Sequence, residues 1–118
     1  MEILVVREPV DKETLDVLAK EWHHSLVKGV ADISRMIVAL GGEWHMDANN
    51  RLIEDGSEQK DIWGFNIYPE EKGDSAIEYI SLINIRPAQG NRSMEISSEE
   101  TRTAVRKTVA LAIPFLGL

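Results

Sequence analysis

The sequence predicts an α+β fold: an antiparallel sheet of about five or six strands, open or curled into a partial barrel, with helices near both termini. Helical apolar spacing is strongest towards the two ends of the chain, whereas the middle carries short apolar runs separated by polar turns. At 118 residues with 43% hydrophobic content, the chain has the size and composition of one domain over residues 1–118 with its own core.

The N-terminal part predicts one strand and one helix. Residues 2–6 form a short apolar run that is typical of a strand. Asp11 then offers its carboxylate as the N-cap of a helix. Leu15 and Leu18 begin an apolar stripe at helical spacing, so a helix is predicted from about residue 12 to 24.

The stretch 27–40 has two interpretations. Its apolar residues continue a helical stripe, and Gly41 with Gly42 would end that helix. Gly29 and several β-branched residues suit two short strands instead. We favour the strands.

The middle of the chain predicts four further strands. Residues 43–47 and 51–54 read as strands around a turn at 48–50. Residues 62–68 and 77–86 carry the clearest strand patterns. A polar connection separates this last pair, which predicts an antiparallel hairpin.

The C-terminal helix is indicated by its capping residues. Ser97 is followed three residues later by Glu100, which is the spacing of a capping box. Val105 and Val109 supply an apolar stripe, and Pro114 ends the helix.

Composition and charge narrow the classes of partner. The net charge of −7 disfavours nucleic acid and anionic membranes, because both are bound by clustered Lys and Arg. The chain has no cysteine, which excludes disulfides and thiolate chemistry. No signal peptide or apolar run of membrane-spanning length is present, so we expect a cytoplasmic protein. The oligomeric state is left open, and a homodimer is one alternative. No cofactor is indicated.

The most function-like feature is a polar segment, defined as Asn84 to Ser93. No carboxylate occurs between Ser81 and Met94, although acids outnumber bases 20 to 13 overall. Arginines with amide and hydroxyl donors suit a carboxylate or phosphate. The predicted ligand-binding residues are Asn66, Tyr68, Asn84, Arg86, Gln89, Asn91, Arg92 and Ser93. The structural alternative, which we favour slightly, is that Arg86 pairs with an internal acid and that Asn and Ser side chains satisfy turn backbone.

A second candidate is a metal site. On a strand, Glu43, His45 and Asp47 would project from one face at intervals of roughly 6–7 Å. One imidazole with two carboxylates could bind a divalent metal or act as a base with an orienting acid. An exposed polar face is the favoured alternative.

Three sequence blocks resemble an uncharacterised family of small prokaryotic proteins. The blocks are GGExHxD from Gly41, EDGSxQxDxWGxN from Glu54 and INIRPxQGNRS from Ile83. The resemblance spans roughly residues 27–95 and implies a complete stand-alone member, without implying an activity or a cofactor. We therefore hold two hypotheses: a binding protein for an anionic small molecule or a protein carboxylate, and a metal-dependent enzyme.

Overall fold

The computed structural model describes residues 3–118, which form an open five-stranded antiparallel sheet in the order β1-β3-β2-β4-β5. The strands are β1 (Leu4–Val5), β2 (Val27–Asp32), β3 (Ile37–Leu40), β4 (Ile62–Ile67) and β5 (Ile77–Glu78). The helices are α1 (Lys12–Glu21), α2 (His45–Glu54) and α3 (Glu99–Ala112). The predicted α+β class is confirmed, and the sheet is not closed into a barrel. Glu2, in the predicted first strand, lies outside the described residues.

The sheet separates two apolar layers because successive side chains of a strand point to opposite faces. One face packs against α1 and α3, with Val27 and Phe65 in its core. The other face packs against α2, where Val30 and Ile62 meet Leu52. By the same alternation, Lys28 of β2 and its partner Asn66 of β4 belong to the α2 side.

The predicted N-terminal strand and helix both form but are shorter than expected: β1 covers Leu4–Val5, and α1 ends at Glu21 instead of near residue 24. Asp11 caps α1, since its Oδ1 accepts the Thr14 N–H at 2.9 Å. Residues 27–40 form β2 and β3, as favoured. Gly29 is required in β2 because a Cβ there would lie 2.5 Å from the Phe65 ring.

The predicted strands 43–47 and 51–54, and the turn between them, are wrong: most of this stretch is α2. The buried residues of α2 are His45, Ala48, Asn49 and Leu52, which follow helical spacing. Two of these four are polar, so the apolar pattern alone does not show the helical period. The N-terminus of α2 is fixed by Asp47, whose carboxylate accepts the Trp44 backbone N–H at 3.0 Å.

The predicted hairpin forms, but its second strand is shorter than expected. β4 pairs with β5 at Asn66–Glu78 and Ile67–Ile77. Beyond Glu78 the chain makes an isolated bridge between Ile80 and Glu95. It then enters 3-10 turns at Leu82–Asn84 and Pro87–Gln89, so a strand through residue 86 is wrong.

The C-terminal helix is confirmed with its cap shifted by one residue. Ser98, and not Ser97, is the N-cap of α3, and its hydroxyl accepts the Thr101 N–H at 3.1 Å. α3 ends at Ala112, two residues before Pro114. Across residues 3–118, no helix has both the length and the apolar content needed to cross a bilayer.

Candidate ligand groove

Asn84 anchors the polar segment to the sheet. It is fully buried; its Oδ1 accepts the Gly64 N–H at 2.8 Å, and its Nδ2 donates to the Gly64 carbonyl at 3.0 Å. The same Nδ2 lies 3.1 Å from the Met94 carbonyl. One side chain therefore provides β4 with the two hydrogen bonds that a neighbouring strand would otherwise supply.

Asn91 closes the loop that Asn84 begins. Its Nδ2 donates to the carbonyls of Asn84 at 2.7 Å and Glu95 at 3.0 Å. Its Oδ1 accepts both the backbone N–H and the hydroxyl of Ser97, at 2.9 and 2.8 Å. Because Asn91 is almost completely buried, its hydrogen-bonding groups serve the protein's own backbone and Ser97.

Arg86 is also engaged internally. Its Nε donates to the Ile83 carbonyl at 2.9 Å, Nη1 to the Gln59 carbonyl at 3.0 Å, and Nη2 to the Ile62 carbonyl. The guanidinium carbon lies 4.3 Å from the centroid of the Trp63 ring. Burial lowers the pKa of Arg86. These backbone carbonyls, rather than an internal acid, hold its donors.

Replacing Arg86 with lysine is expected to lower the free energy of unfolding by about 1–2 kcal/mol, because one ammonium cannot reach three separated carbonyls or stack on Trp63 in the same way. Arg92→Lys is the control; Arg92 is exposed, and a change within about 0.5 kcal/mol is expected. Urea denaturation measures both. Equal effects of the two substitutions would contradict the structural role of Arg86.

The other predicted ligand-binding residues are dispersed. Gln89 donates to the Lys60 carbonyl at 3.1 Å, and Ser93 donates to the Glu95 carbonyl at 3.1 Å. Tyr68 donates to Glu78 Oε1 at 2.8 Å. Arg86 stacks on a residue of the α1/α3 face, whereas Asn66 belongs to the α2 face. The structure therefore does not bring Arg86 together with Asn66 in one cavity.

Asn66 instead lies in a groove of about 440 Å³ on the α2 side of the sheet. Lys28 and Asn66 contribute from the strands. Residues 44–46, at the start of α2, form one wall, and residues 80–83 with Met94 form the other. The flanks of the polar segment thus build a wall of this groove, which is larger than the cavity of about 310 Å³ beside α3.

The groove walls are apolar and open to solvent. Trp44 is 58% exposed and Leu82 is 66% exposed. Met46 and Met94, one from each wall, are also exposed. Grouped apolar side chains at a surface are typical of a binding site.

Lys28 supplies a positive charge beside these apolar walls. Its Nζ lies 5.8 Å from the centroid of the Trp44 ring. In the part of the chain that the structure describes, no carboxylate forms an ion pair with it. The groove therefore offers a cation to a ligand.

His45 is a neutral polar group in the groove. Its Nε2 donates to the Phe65 carbonyl at 2.8 Å. Burial lowers the pKa of His45 to about 4, with a smaller contribution from Lys28 and against the opposing effect of the Phe65 carbonyl. The imidazole is therefore uncharged near pH 7.

The predicted metal set is not assembled. Glu43, His45 and Asp47 do not share a strand face, because α2 begins at His45. Asp47 bonds to backbone at the helix N-terminus, and His45 bonds to Phe65. Among residues 3–118, no group of three His, Asp or Glu side chains is placed to hold a metal ion.

Sequence reasoning missed most of the groove. Lys28, Trp44 and Met46 were not singled out, since each lies in a different local pattern from the polar segment. Leu82 and Met94 carry a usable signal: they are large apolar residues flanking a polar block, and both are exposed.

The structure is that of an α+β protein with an open antiparallel sheet. Its groove, with apolar walls and an adjacent cation, has the size of a small-molecule pocket. The chain belongs to DUF5674, a family described as protein of unknown function, whose pattern matches residues 4–111. No curated protein and no solved structure matches the chain significantly.

Proposed function

We propose that this chain is a binding protein without catalytic activity, which holds a small apolar anion in the groove. The observation that carries the proposal is Lys28, a cation without an ion-pair partner among residues 3–118, beside exposed apolar walls. A carboxylate would pair with Lys28 while its apolar body contacts Trp44 and Leu82.

Size and energetics support this function. Ligand pockets commonly enclose about 300–1,000 Å³ and are lined mainly by apolar side chains with a few polar groups; the groove has about 440 Å³. An apolar body gains about 25 cal/mol for each Å² removed from water. Charge pairing with Lys28 then distinguishes an anion from a neutral molecule of the same shape.

The polar segment acts in this proposal as a scaffold. Asn84 and Asn91 hold residues 80–83 and Met94 in place through buried hydrogen bonds. The anion contacts Lys28 from β2 instead of Arg86 or Arg92. The proposal retains an anionic ligand and assigns its recognition to different residues.

We propose that the protein acts in the cytoplasm of a prokaryotic cell. A homodimer is the proposed oligomeric state. Because the chain has no cysteine, its fold depends on no disulfide and is compatible with a reducing compartment.

Replacing Lys28 with methionine is expected to weaken binding of small apolar carboxylates about tenfold, because the charge is lost and the apolar stem is kept. Isothermal titration with octanoate, phenylacetate and indole-3-acetate measures the change. Lys107→Met is the matched control, since it removes the same charge from the exposed side of α3, across the sheet.

Two results would contradict the proposal. One is that none of the three acids binds wild-type protein at millimolar concentration. The other is that Lys28→Met and Lys107→Met weaken binding equally, which would indicate a general charge effect. Perturbation of amide NMR signals in residues 44–46 and 80–83 is the expected footprint of bound acid.

A further inference from the structure

The groove contains a buried acceptor without a hydrogen bond, Oδ1 of Asn66. The ring of His45 also lines the groove, and its Nδ1 is a second acceptor there. Buried polar atoms in native proteins are nearly always hydrogen-bonded, so an unpaired one calls for a missing partner. The inference below rests on the proposed function and extends it to the chemistry of the ligand.

The protonation of His45 follows from its partner. The Phe65 carbonyl can only accept, so Nε2 at 2.8 Å must carry the hydrogen. In the neutral ring, Nδ1 then presents a lone pair. Because His45 lines the groove, this acceptor belongs to the groove.

The orientation of the Asn66 amide is also fixed by acceptors. Nδ2 donates to Glu78 Oε1 at 2.9 Å and lies 3.3 Å from the Ile80 carbonyl. Exchanging the amide O and N would place three oxygens together, so the assignment stands. Oδ1 is left without a hydrogen bond. Because Asn66 is only 7% exposed, the missing bond is not replaced by bulk water.

The two acceptors are neighbours. Burial lowers the pKa of His45, and Asn66 opposes this by a side-chain hydrogen bond that favours the protonated ring; in the neutral ring this bond is absent. Two lone-pair atoms cannot satisfy each other, whereas one N–H or O–H group placed between them could bond to either.

We infer that the groove binds an aromatic anion that also carries an N–H or O–H donor. The donor bonds to Nδ1 of His45 or Oδ1 of Asn66, and the anionic group pairs with Lys28. Met46 and Met94 come from different walls, and methionine sulfur makes favourable contacts with aromatic rings. His45 is then a specificity-determining residue.

A pair of isosteric acids tests the donor. Indole-3-acetate has a ring N–H, whereas 1-benzothiophene-3-acetate has nearly the same shape and charge without it. We expect the benzothiophene acid to bind wild-type protein about fivefold to tenfold more weakly by isothermal titration. Indole-3-ethanol, which keeps the N–H and loses the charge, reports separately on Lys28.

Variants at His45 test the assignment to that side chain. In His45→Gln the amide can both donate to the Phe65 carbonyl and accept from a ligand, so preference for the indole acid should persist. In His45→Leu both capacities are lost, and the two acids should bind alike. If His45→Leu does not fold, the two acids compared on wild-type protein and on His45→Gln still test whether the ligand must donate a hydrogen bond.

The outcomes separate this inference from the proposed function. Equal wild-type affinities for the two isosteric acids, with weakening by Lys28→Met intact, would overturn the donor requirement alone. Binding of octanoate without binding of either bicyclic acid would overturn the aromatic class alone. Failure of every acid to bind would overturn both.

Discussion

Replacing Asn84 with alanine is expected to lower the free energy of unfolding by about 3–5 kcal/mol. The substitution removes the partners of the Gly64 N–H, the Gly64 carbonyl and the Met94 carbonyl. These groups lie around a fully buried side chain, and each buried polar group left unpaired costs about 1–3 kcal/mol. Because water partly enters the space left by the side chain, the expected loss of stability is smaller than the sum of the three separate costs.

Urea denaturation followed by tryptophan fluorescence measures this loss. Asn84→Asp is a sharp comparison: its carboxylate still accepts the Gly64 N–H but places an oxygen against the Gly64 and Met94 carbonyls. It should therefore be no more stable than Asn84→Ala. A loss below about 1 kcal/mol for Asn84→Ala would show that the amide does not anchor the segment.

The fold was predictable where local pattern and tertiary packing agree. β4 alternates between the two apolar layers, and the strand predicted over residues 62–68 is observed as Ile62–Ile67. The stretch 27–40 was balanced between helix and strand; its resolution depends on Gly29 facing the Phe65 ring, a contact between residues far apart in sequence.

The wrong strand predictions, at residues 43–47 and 51–54 and beyond Glu78, have different physical causes. In α2 the buried face includes His45 and Asn49, and their burial depends on distant partners, Phe65 and Gln59. After Glu78, the Asn84 side chain takes the place of strand backbone in bonding to Gly64. In both cases a polar side chain bonds to a residue far away in the sequence, and such a contact is not visible in a short window of local sequence.

The sequence located part of the candidate site, but the structure assigns different roles to the predicted residues. The sequence pointed to the polar segment because it lacks acids and is rich in amides. The structure uses those amides internally and forms the groove from the flanks of the segment. Lys28 lies on β2, and only the pairing of Lys28 with Asn66 across two strands brings the cation to that site.

The link between fold and groove predicts a large effect of Gly64→Ala. A Cβ on Gly64 would lie 2.5 Å from Ser81 Cβ and 3.1 Å from Ile83 Cγ1, so residues 80–83 must move away from β4. That movement strains the hydrogen bonds between Asn84 and Gly64. We expect a loss of about 2–4 kcal/mol in urea denaturation, together with weakened carboxylate binding because one groove wall is displaced.

Removing the obstructing side chain provides the control. Ser81→Gly deletes the two nearest atoms met by the new Cβ, so it should partly relieve the strain in Gly64→Ala. Residues in contact show non-additive effects, and the double variant should be at least about 1 kcal/mol more stable than the sum of the single losses predicts. Strict additivity would mean that the close approach of residues 80–83 to β4 does not set the position of the groove wall.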